Sequence, residues 1–123
     1  MFTGIIQAVG KIETVTPQGT EEDAGVRLQI NAGALPMGDV KIGDSIALNG
    51  ACMTVVEKTG NGFIIDVSRE SLDKTAGLDG TNEVNLEKAM ALGDMLGGHL
   101  VSGHVDGVGI VREFSPVAES WEL

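Results

Sequence analysis

Residues 52–68 read CMTVVEKTGNGFIIDVS, two runs rich in apolar and β-branched residues that are separated by a short turn-forming stretch. Runs of this composition and length are typical of β-strands. Between them stands Asn61-Gly62, a pair that favours positive φ angles and therefore a tight hairpin turn. The stretch predicts two antiparallel strands, CMTVVEK and FIIDVS, joined by that turn.

Further strand patterns flank this hairpin on both sides. VRLQIN at residues 26–31 and VNLE at 84–87 alternate apolar and polar residues, which is the strand period of two. SIAL at 45–48 and the β-branched run GIIQAVGKIETV at 4–15 are also predicted strands, and Gly10 inside the latter indicates a bulge or a sharp bend. The chain therefore contains six candidate strands by residue 88.

Helical signals are short by comparison. SRESLDKTAG predicts one or two helical turns, capped by Ser68 or Asp66, with Glu70 near the start and Gly77 at the end. Six strands with little helix predict an all-β fold, either a closed antiparallel barrel or a sandwich. Closure is the favoured alternative because it removes exposed strand edges.

Composition excludes several classes of protein. A length of 123 residues suits one domain with a modest core. A net charge of −10, with one Trp, three Phe and no Tyr, argues against nucleic-acid binding, which needs clustered cations and stacking aromatics. No apolar run reaches the roughly 18 residues of a membrane span, and no signal-peptide pattern opens the chain. The single cysteine, Cys52, forms no internal disulfide, which predicts a cytoplasmic protein.

The chain also contains an internal repeat. Residues 1–12, MFTGIIQAVGKI, align without a gap with residues 100–111, LVSGHVDGVGIV, so that Gly4 matches Gly103. Such self-similarity predicts a second copy of the same domain. We therefore expect a barrel over residues 1–96, and over 97–123 a joint followed by the first strand or strands of a second, truncated barrel from a longer two-domain protein.

Both histidines lie in GGHLVSGHVDG, residues 97–107. A metal site is disfavoured, because His99 and His104 are five residues apart and so share neither a helix face nor a strand face. Cys52 alone has no cysteine partner at zinc-site spacing. We interpret this stretch as the joint between the two copies, and no metal is predicted.

Five motifs together resemble the riboflavin synthase α-chain family. In chain order they are MFTGIIQ, NGACMTV, SRESLDKTAG, EVNLEKAM and GGHLVSGHVDG. The resemblance implies six-stranded antiparallel Greek-key barrels, each binding one substrate molecule. It implies a homotrimeric full-length enzyme whose active sites lie between the N-terminal barrel of one subunit and the C-terminal barrel of the next. Lumazine protein, a non-catalytic chromophore binder, belongs to the same superfamily.

The implied reaction uses two molecules of 6,7-dimethyl-8-ribityllumazine and no metal or organic cofactor. A four-carbon unit passes from one molecule to the other, which gives riboflavin and 5-amino-6-ribitylaminopyrimidinedione. One bound molecule must lose a proton from its 7-methyl group, and the other must be activated by a nucleophile. A chain with one barrel is expected to bind ligand, to be a poor catalyst and to form a homodimer. A non-catalytic lumazine or flavin binder and a plain structural barrel stay open as alternatives.

The resemblance also implies the residues of the site. Substrate contacts are expected from four segments: Gly4, Ile5 and Ile6; Cys52, Met53 and Thr54; Asp66, Val67, Ser68, Arg69, Glu70 and Ser71; and Gly103, His104 and Val105. Catalytic roles are expected for Phe2, Ser45, Cys52 and His104.

Several of these residues have plainer alternatives. Cys52 is a nucleophile, a ring contact or simply a small buried thiol. Histidine is a common general base, so His104 suits that role, although a hydrogen-bonding role fits it equally well. Thr54 could be an ordinary outward strand residue, and Glu70 and Ser71 could form a solvated turn. Phe2 is apolar at what is expected to be an exposed terminus, which favours a role at a subunit boundary.

Overall fold

A computed structural model describes residues 1–123 and shows a closed antiparallel barrel of six strands. The strands are β1 (Ala8–Pro17), β2 (Val26–Asn31), β3 (Ser45–Leu48), β4 (Ala51–Lys58), β5 (Gly62–Val67) and β6 (Glu83–Lys88). Around the barrel they follow the order β1-β2-β5-β4-β3-β6, so that β2 pairs with β5 and β3 with β6. This is Greek-key connectivity, and it confirms the predicted all-β barrel.

The barrel core follows the alternation read from the sequence. In β2 the buried side chains are Val26, Leu28 and Ile30, and every second residue faces outward or is only half-buried. Nineteen buried residues form one cluster inside the barrel. Leu35 and Leu78, from the loops outside the strands, join this cluster. Period-two patterning thus determines which face of β2 packs inward.

The hairpin between β4 and β5 is confirmed, but its predicted turn geometry is wrong. Neither Asn61 nor Gly62 has a positive φ angle. The loop contains three residues, 59–61, and the N–H of Thr59 donates to the carbonyl of Gly62 at 3.0 Å. Gly62 is instead required because the backbone of β2 approaches it closely. A β-carbon at this position would overlap the carbonyl oxygen of Ile30 in β2.

The other Asn-Gly pair makes the tight turn. Asn49 and Gly50 have φ angles of 48° and 82°, and they join β3 to β4 with Leu48 opposite Ala51. Two left-handed residues in a two-residue loop match the right-handed twist of the flanking strands.

The bulge expected at Gly10 lies elsewhere in β1. The register shifts between Ile12 and Thr14, which leaves Glu13 as the extra residue. At Gly10 a β-carbon would lie 2.5 Å from the carbonyl oxygen of Asn31, so this glycine permits close strand approach instead.

The predicted helical turn is present as α1 (Arg69–Asp73). Of the two expected caps, Ser68 is correct, since its hydroxyl accepts from the N–H of Ser71 at 3.1 Å. Asp66 does not cap the helix. No helix of the chain combines the length and the hydropathy needed to cross a membrane.

Outside the barrel, the amino-terminal segment meets the chain near residue 101. Phe2 and Val101 form an isolated antiparallel bridge. Residues 102–114 form neither helix nor strand, and a small hairpin follows, β7 (Ser115–Val117) with β8 (Ser120–Glu122). The segment that aligns with β1 is therefore not a strand. β1 pairs with both β2 and β6, and residues 97–123 contain no equivalent partners. The second-barrel interpretation stays a prediction.

Candidate functional site

A pocket of about 270 Å³ opens beside β4, where α1 and the segment 103–105 approach it. Ten residues line it, and seven of them belong to the predicted site: Cys52, Met53, Glu70, Ser71, Gly103, His104 and Val105. The fold thus brings three separate sequence segments together around one cavity.

The walls of this pocket differ in chemistry. The wall from β4 is apolar, with Ala51, Cys52 and Met53, and Val105 adds to it. The wall from α1 and the residues after it is polar, and it presents Glu70, Ser71, Lys74 and Thr75. An apolar surface beside a few convergent polar groups is the usual character of a small-molecule site.

Gly103 forms the contact that holds the 103–105 segment over β4. Its carbonyl accepts a hydrogen bond from the N–H of Cys52 at 2.8 Å. Gly103 is buried with a φ of +80°, and a β-carbon on it would lie 2.8 Å from the β-carbon of Cys52 and 2.9 Å from the ring of Phe2. Only glycine fits both the conformation and the space.

The ring of Phe2 supports this segment by packing against Gly103. Its side chain is 1% exposed, so the expectation that it lies bare at the terminus is wrong. Phe2 exchanges two backbone hydrogen bonds with Val101, at 2.8 and 3.0 Å, and its ring packs against Gly103. Residues close to position 100 cover it, which sequence reasoning could not foresee. Phe2 does not itself line the pocket.

Glu87 is a structural residue that sequence reasoning missed. The alternation in VNLE predicts an outward side chain, yet Glu87 is only 4% exposed. Its carboxylate accepts from the N–H and the hydroxyl of Thr3, both at 2.7 Å, and from the N–H of Gly4 at 3.1 Å. These bonds anchor the amino-terminal segment whose Phe2 supports Gly103. Its place in the EVNLEKAM motif was the only signal in the sequence.

The polar wall carries a charged pair. Lys74 Nζ donates to Glu70 Oε1 at 2.8 Å. This hydrogen bond lowers the pKa of Glu70 and raises the pKa of Lys74, and their mutual attraction acts in the same direction. Both groups are therefore charged at neutral pH.

Comparison with known proteins identifies the family. Residues 3–89 match the model of the lumazine binding domain. The chain belongs to the lumazine-binding domain family. It is 50% identical to riboflavin synthase of Photobacterium phosphoreum over an alignment of 115 residues. That alignment covers 92% of this chain and 51% of that protein. It is 47% identical to riboflavin synthase of Actinobacillus pleuropneumoniae over an alignment of 122 residues. That alignment covers 98% of this chain and 54% of that protein.

The chain thus spans about half the length of the curated relatives that it matches, and the resemblance read from its motifs is confirmed. Solved structures agree. The crystal structure of LumP complexed with 6,7-dimethyl-8-(1'-D-ribityl) lumazine has a TM-score of 0.77 at 27% identity, over 98% of this chain and 66% of that one. LumP complexed with riboflavin gives 0.74 at 28% identity, over 96% and 62%.

Some predicted residues of this lumazine-binding domain lie outside the pocket. Ser45 borders a separate cavity of about 280 Å³ beside the ion pair of Lys88 with Asp39, whose N···O distance is 2.7 Å. Thr54 pairs with Ser45 across β3 and β4, is exposed, and is not among the residues that line the main pocket. Gly4, Ile5 and Ile6 are exposed and absent from the pocket lining.

The first four residues of the DVSRES segment, 66–69, belong to β5 and to α1 with its cap. Asp66 accepts two hydrogen bonds from Arg27, at 2.8 and 3.0 Å, which lower the pKa of its carboxyl. Val67 is in the core, Ser68 caps α1, and Arg69 lies 4.0 Å from Asp73. Only the last two residues of the segment, Glu70 and Ser71, reach the pocket. Ligand contact by the others stays a prediction.

Proposed function

We propose that this domain binds one molecule of 6,7-dimethyl-8-ribityllumazine or riboflavin in the pocket, and that the full-length protein is a riboflavin synthase. The observation that carries the proposal is the pocket with one apolar and one polar wall, built largely from the residues that the family resemblance implied. The apolar wall suits the ring system, and the polar wall suits the ribityl hydroxyls, which both donate and accept hydrogen bonds.

In the proposed reaction two lumazines react face to face, and a four-carbon unit moves from one to the other without a metal or organic cofactor. Cys52 borders the pocket from the apolar wall, as a nucleophile or as a ring contact, and His104 stands at the rim as a base or a hydrogen-bond donor. Holding the two reactants in the correct geometry supplies a large share of the rate. A chain with one such pocket is therefore a poor catalyst.

The repeat suggests a role for Gly4, Ile5 and Ile6 in the full-length protein. Phe2 and Val101 occupy equivalent repeat positions and pair with each other. Gly4 and Gly103 are also equivalent, and both are left-handed, with φ angles of 83° and 80°. Residues 103–105 line the pocket of this barrel. By the same symmetry, residues 4–6 contact ligand in the second barrel of the longer protein.

A non-catalytic chromophore binder is the second candidate. The LumP structures, whose titles name lumazine, flavin mononucleotide and riboflavin as ligands, favour it. Both candidates share the pocket and differ in chemistry. Conversion of 6,7-dimethyl-8-ribityllumazine to riboflavin by the full-length protein supports the synthase, and tight binding without turnover supports the chromophore binder.

The first prediction is that the 123-residue chain binds riboflavin at one site per chain, with a Kd below about 100 μM. Quenching of flavin fluorescence measures it. Cys52→Phe fills the pocket and is expected to weaken binding more than about tenfold. Val9→Phe is the matched control, since Val9 is exposed on β1, which does not line the pocket. Absence of saturable quenching by the unchanged chain contradicts the proposal.

The second prediction concerns assembly and turnover. The full-length protein is proposed to be a homotrimer, and the 123-residue chain a homodimer with little synthase activity. Phe2 is buried and cannot drive association, but Ile110, Trp121 and Leu123 are 90%, 61% and 84% exposed. Such apolar surface seeks a partner, and a two-fold dimer is the commonest closed arrangement. Sedimentation as a monomer contradicts the dimer, and a turnover rate close to that of the full-length protein contradicts the catalytic part.

A further inference from the structure

Glu87 is a buried carboxylate that the proposed chemistry of the pocket does not use. Leu86 before it is fully buried in the barrel core, so Glu87, the next residue of β6, points to the outer face of the barrel. It is nevertheless only 4% exposed, and residues 3 and 4 lie against it. None of the ion pairs of the chain includes Glu87. Its burial is therefore offset by hydrogen bonds alone.

All three partners of this carboxylate are donors. The N–H and the hydroxyl of Thr3 donate to Oε1, and the N–H of Gly4 donates to Oε2. The Thr3 hydroxyl also accepts from the N–H of Ile5 at 3.1 Å. A carboxylate only accepts hydrogen bonds, whereas a glutamine amide in either orientation would turn its NH₂ group towards one of these donors. The side chain of Glu87 therefore matches the conformation of residues 3–5.

Phe2, next to the residues that Glu87 holds, connects them to the pocket. It exchanges two backbone hydrogen bonds with Val101, and its ring packs against Gly103. The carbonyl of Gly103 accepts from the N–H of Cys52 at 2.8 Å. A continuous series of hydrogen bonds and packing contacts thus runs from Glu87 on β6 to the wall of the pocket on β4.

We propose that Glu87 is a positioning residue for ligand binding, which acts through Phe2 and the 103–105 segment. The inference rests on the proposed function and adds a residue that lies outside the pocket. Without the carboxylate, the amino-terminal segment loses three hydrogen bonds to β6, and the 103–105 segment spends part of its time away from β4. Ligand affinity then falls in proportion to the fraction of molecules in which the pocket is complete.

Riboflavin titration of variants, followed by fluorescence quenching, tests the proposal. Glu87→Ala is expected to raise the Kd about tenfold, the effect of a segment that is in place in roughly one molecule in ten. Glu87→Gln keeps one acceptor oxygen and should raise the Kd only about threefold. Glu83→Gln is the matched control, because Glu83 is exposed on the same strand, and it should change the Kd by less than about twofold.

Amide hydrogen exchange separates positioning from a general loss of stability. The N–H of Cys52 is bonded to Gly103, so its exchange rate reports whether the 103–105 segment is in place. In Glu87→Ala this amide should exchange at least about tenfold faster. The N–H of Ala32, bonded to Asn61 in the β4–β5 loop, should change much less, whereas general destabilisation would accelerate both amides.

Two further variants complete the test. Ile30→Val, a core substitution in β2, should lower the midpoint of urea denaturation and leave the Kd unchanged. If Glu87→Ala does not fold, Thr3→Val tests the same contact from the other side. It removes the hydroxyl that donates to Glu87 and should weaken binding about threefold, and Thr3→Ser, which keeps the hydroxyl, should restore it.

An unchanged Kd for folded Glu87→Ala, or for Thr3→Val in its place, would overturn the inference and leave the proposed function intact. A raised Kd without faster exchange at Cys52 would also overturn it, because the loss would then not pass through the 103–105 segment. If the unchanged chain does not bind riboflavin, the proposed function fails, and the inference fails with it.

Discussion

A Gly103→Ala variant is expected to bind riboflavin about 100-fold more weakly than the unchanged chain, equivalent to roughly 2.7 kcal/mol. Alanine at a φ of +80° is strained by about 1–2 kcal/mol. Its β-carbon would also lie 2.8 Å from that of Cys52 and 2.9 Å from the ring of the buried Phe2. The cheapest relief is to lift residues 103–105 away from β4, which removes one side of the pocket.

The damage should stay local, because the six strands pair with one another in a closed barrel and this segment is not one of them. The far-UV circular dichroism spectrum is therefore expected to be unchanged, while flavin titration shows the loss of affinity. Gly107→Ala is the matched control. Gly107 has no left-handed φ and no atom near its β-carbon position, so affinity should stay within about twofold. A Gly103→Ala variant with full affinity would show that this segment does not form the pocket.

A Gly62→Ala variant is expected to lose about 3 kcal/mol or more of the free energy of unfolding. The new β-carbon would overlap the carbonyl oxygen of Ile30 and lie 2.9 Å from the backbone nitrogen of Ala32. These are backbone atoms beside β5, and Asn31 is the register partner of Gly62. They can move only if β2 separates from β5, which opens the barrel.

Urea denaturation followed by circular dichroism measures this loss. Gly60→Ala, two residues earlier in the same hairpin, is the control, because Gly60 has no left-handed φ and no atom within 4 Å of its β-carbon position. Its stability should change by less than about 1 kcal/mol. Gly62→Asn separates the two explanations of this glycine. Asparagine tolerates positive φ, so it would be accepted if Gly62 served a left-handed turn, and it should be as damaging as alanine if close approach is the reason.

Part of the site could be predicted from the sequence. The family motifs indicated Cys52, Met53, Glu70 and Ser71, and the structure places these residues around the pocket with the 103–105 segment. The motifs did not distinguish these residues from Asp66, whose carboxylate accepts a hydrogen bond from Arg27. A motif marks neighbours along the chain, whereas a ligand meets only the side chains that face its cavity.

Sequence alone determined the six strands and the inward face of β2, since Val26, Leu28 and Ile30 alternate with outward or half-buried residues and that alternation survives in the barrel. It also determined the start of α1 at Ser68, because a cap is a contact between residues three apart. The strand period and the helix cap depend only on residues close together along the chain, so both can be predicted without knowledge of the fold.

Only the tertiary structure decided which Asn-Gly pair makes the tight turn, since strand register and not the dipeptide selects the loop length. It alone buried Glu87 and Phe2, because their partners lie more than eighty residues away along the chain. It likewise brought residues 51–53, 70–75 and 103–105 around one pocket. Contacts between distant segments depend on how the barrel closes, and no local pattern in the sequence records that closure.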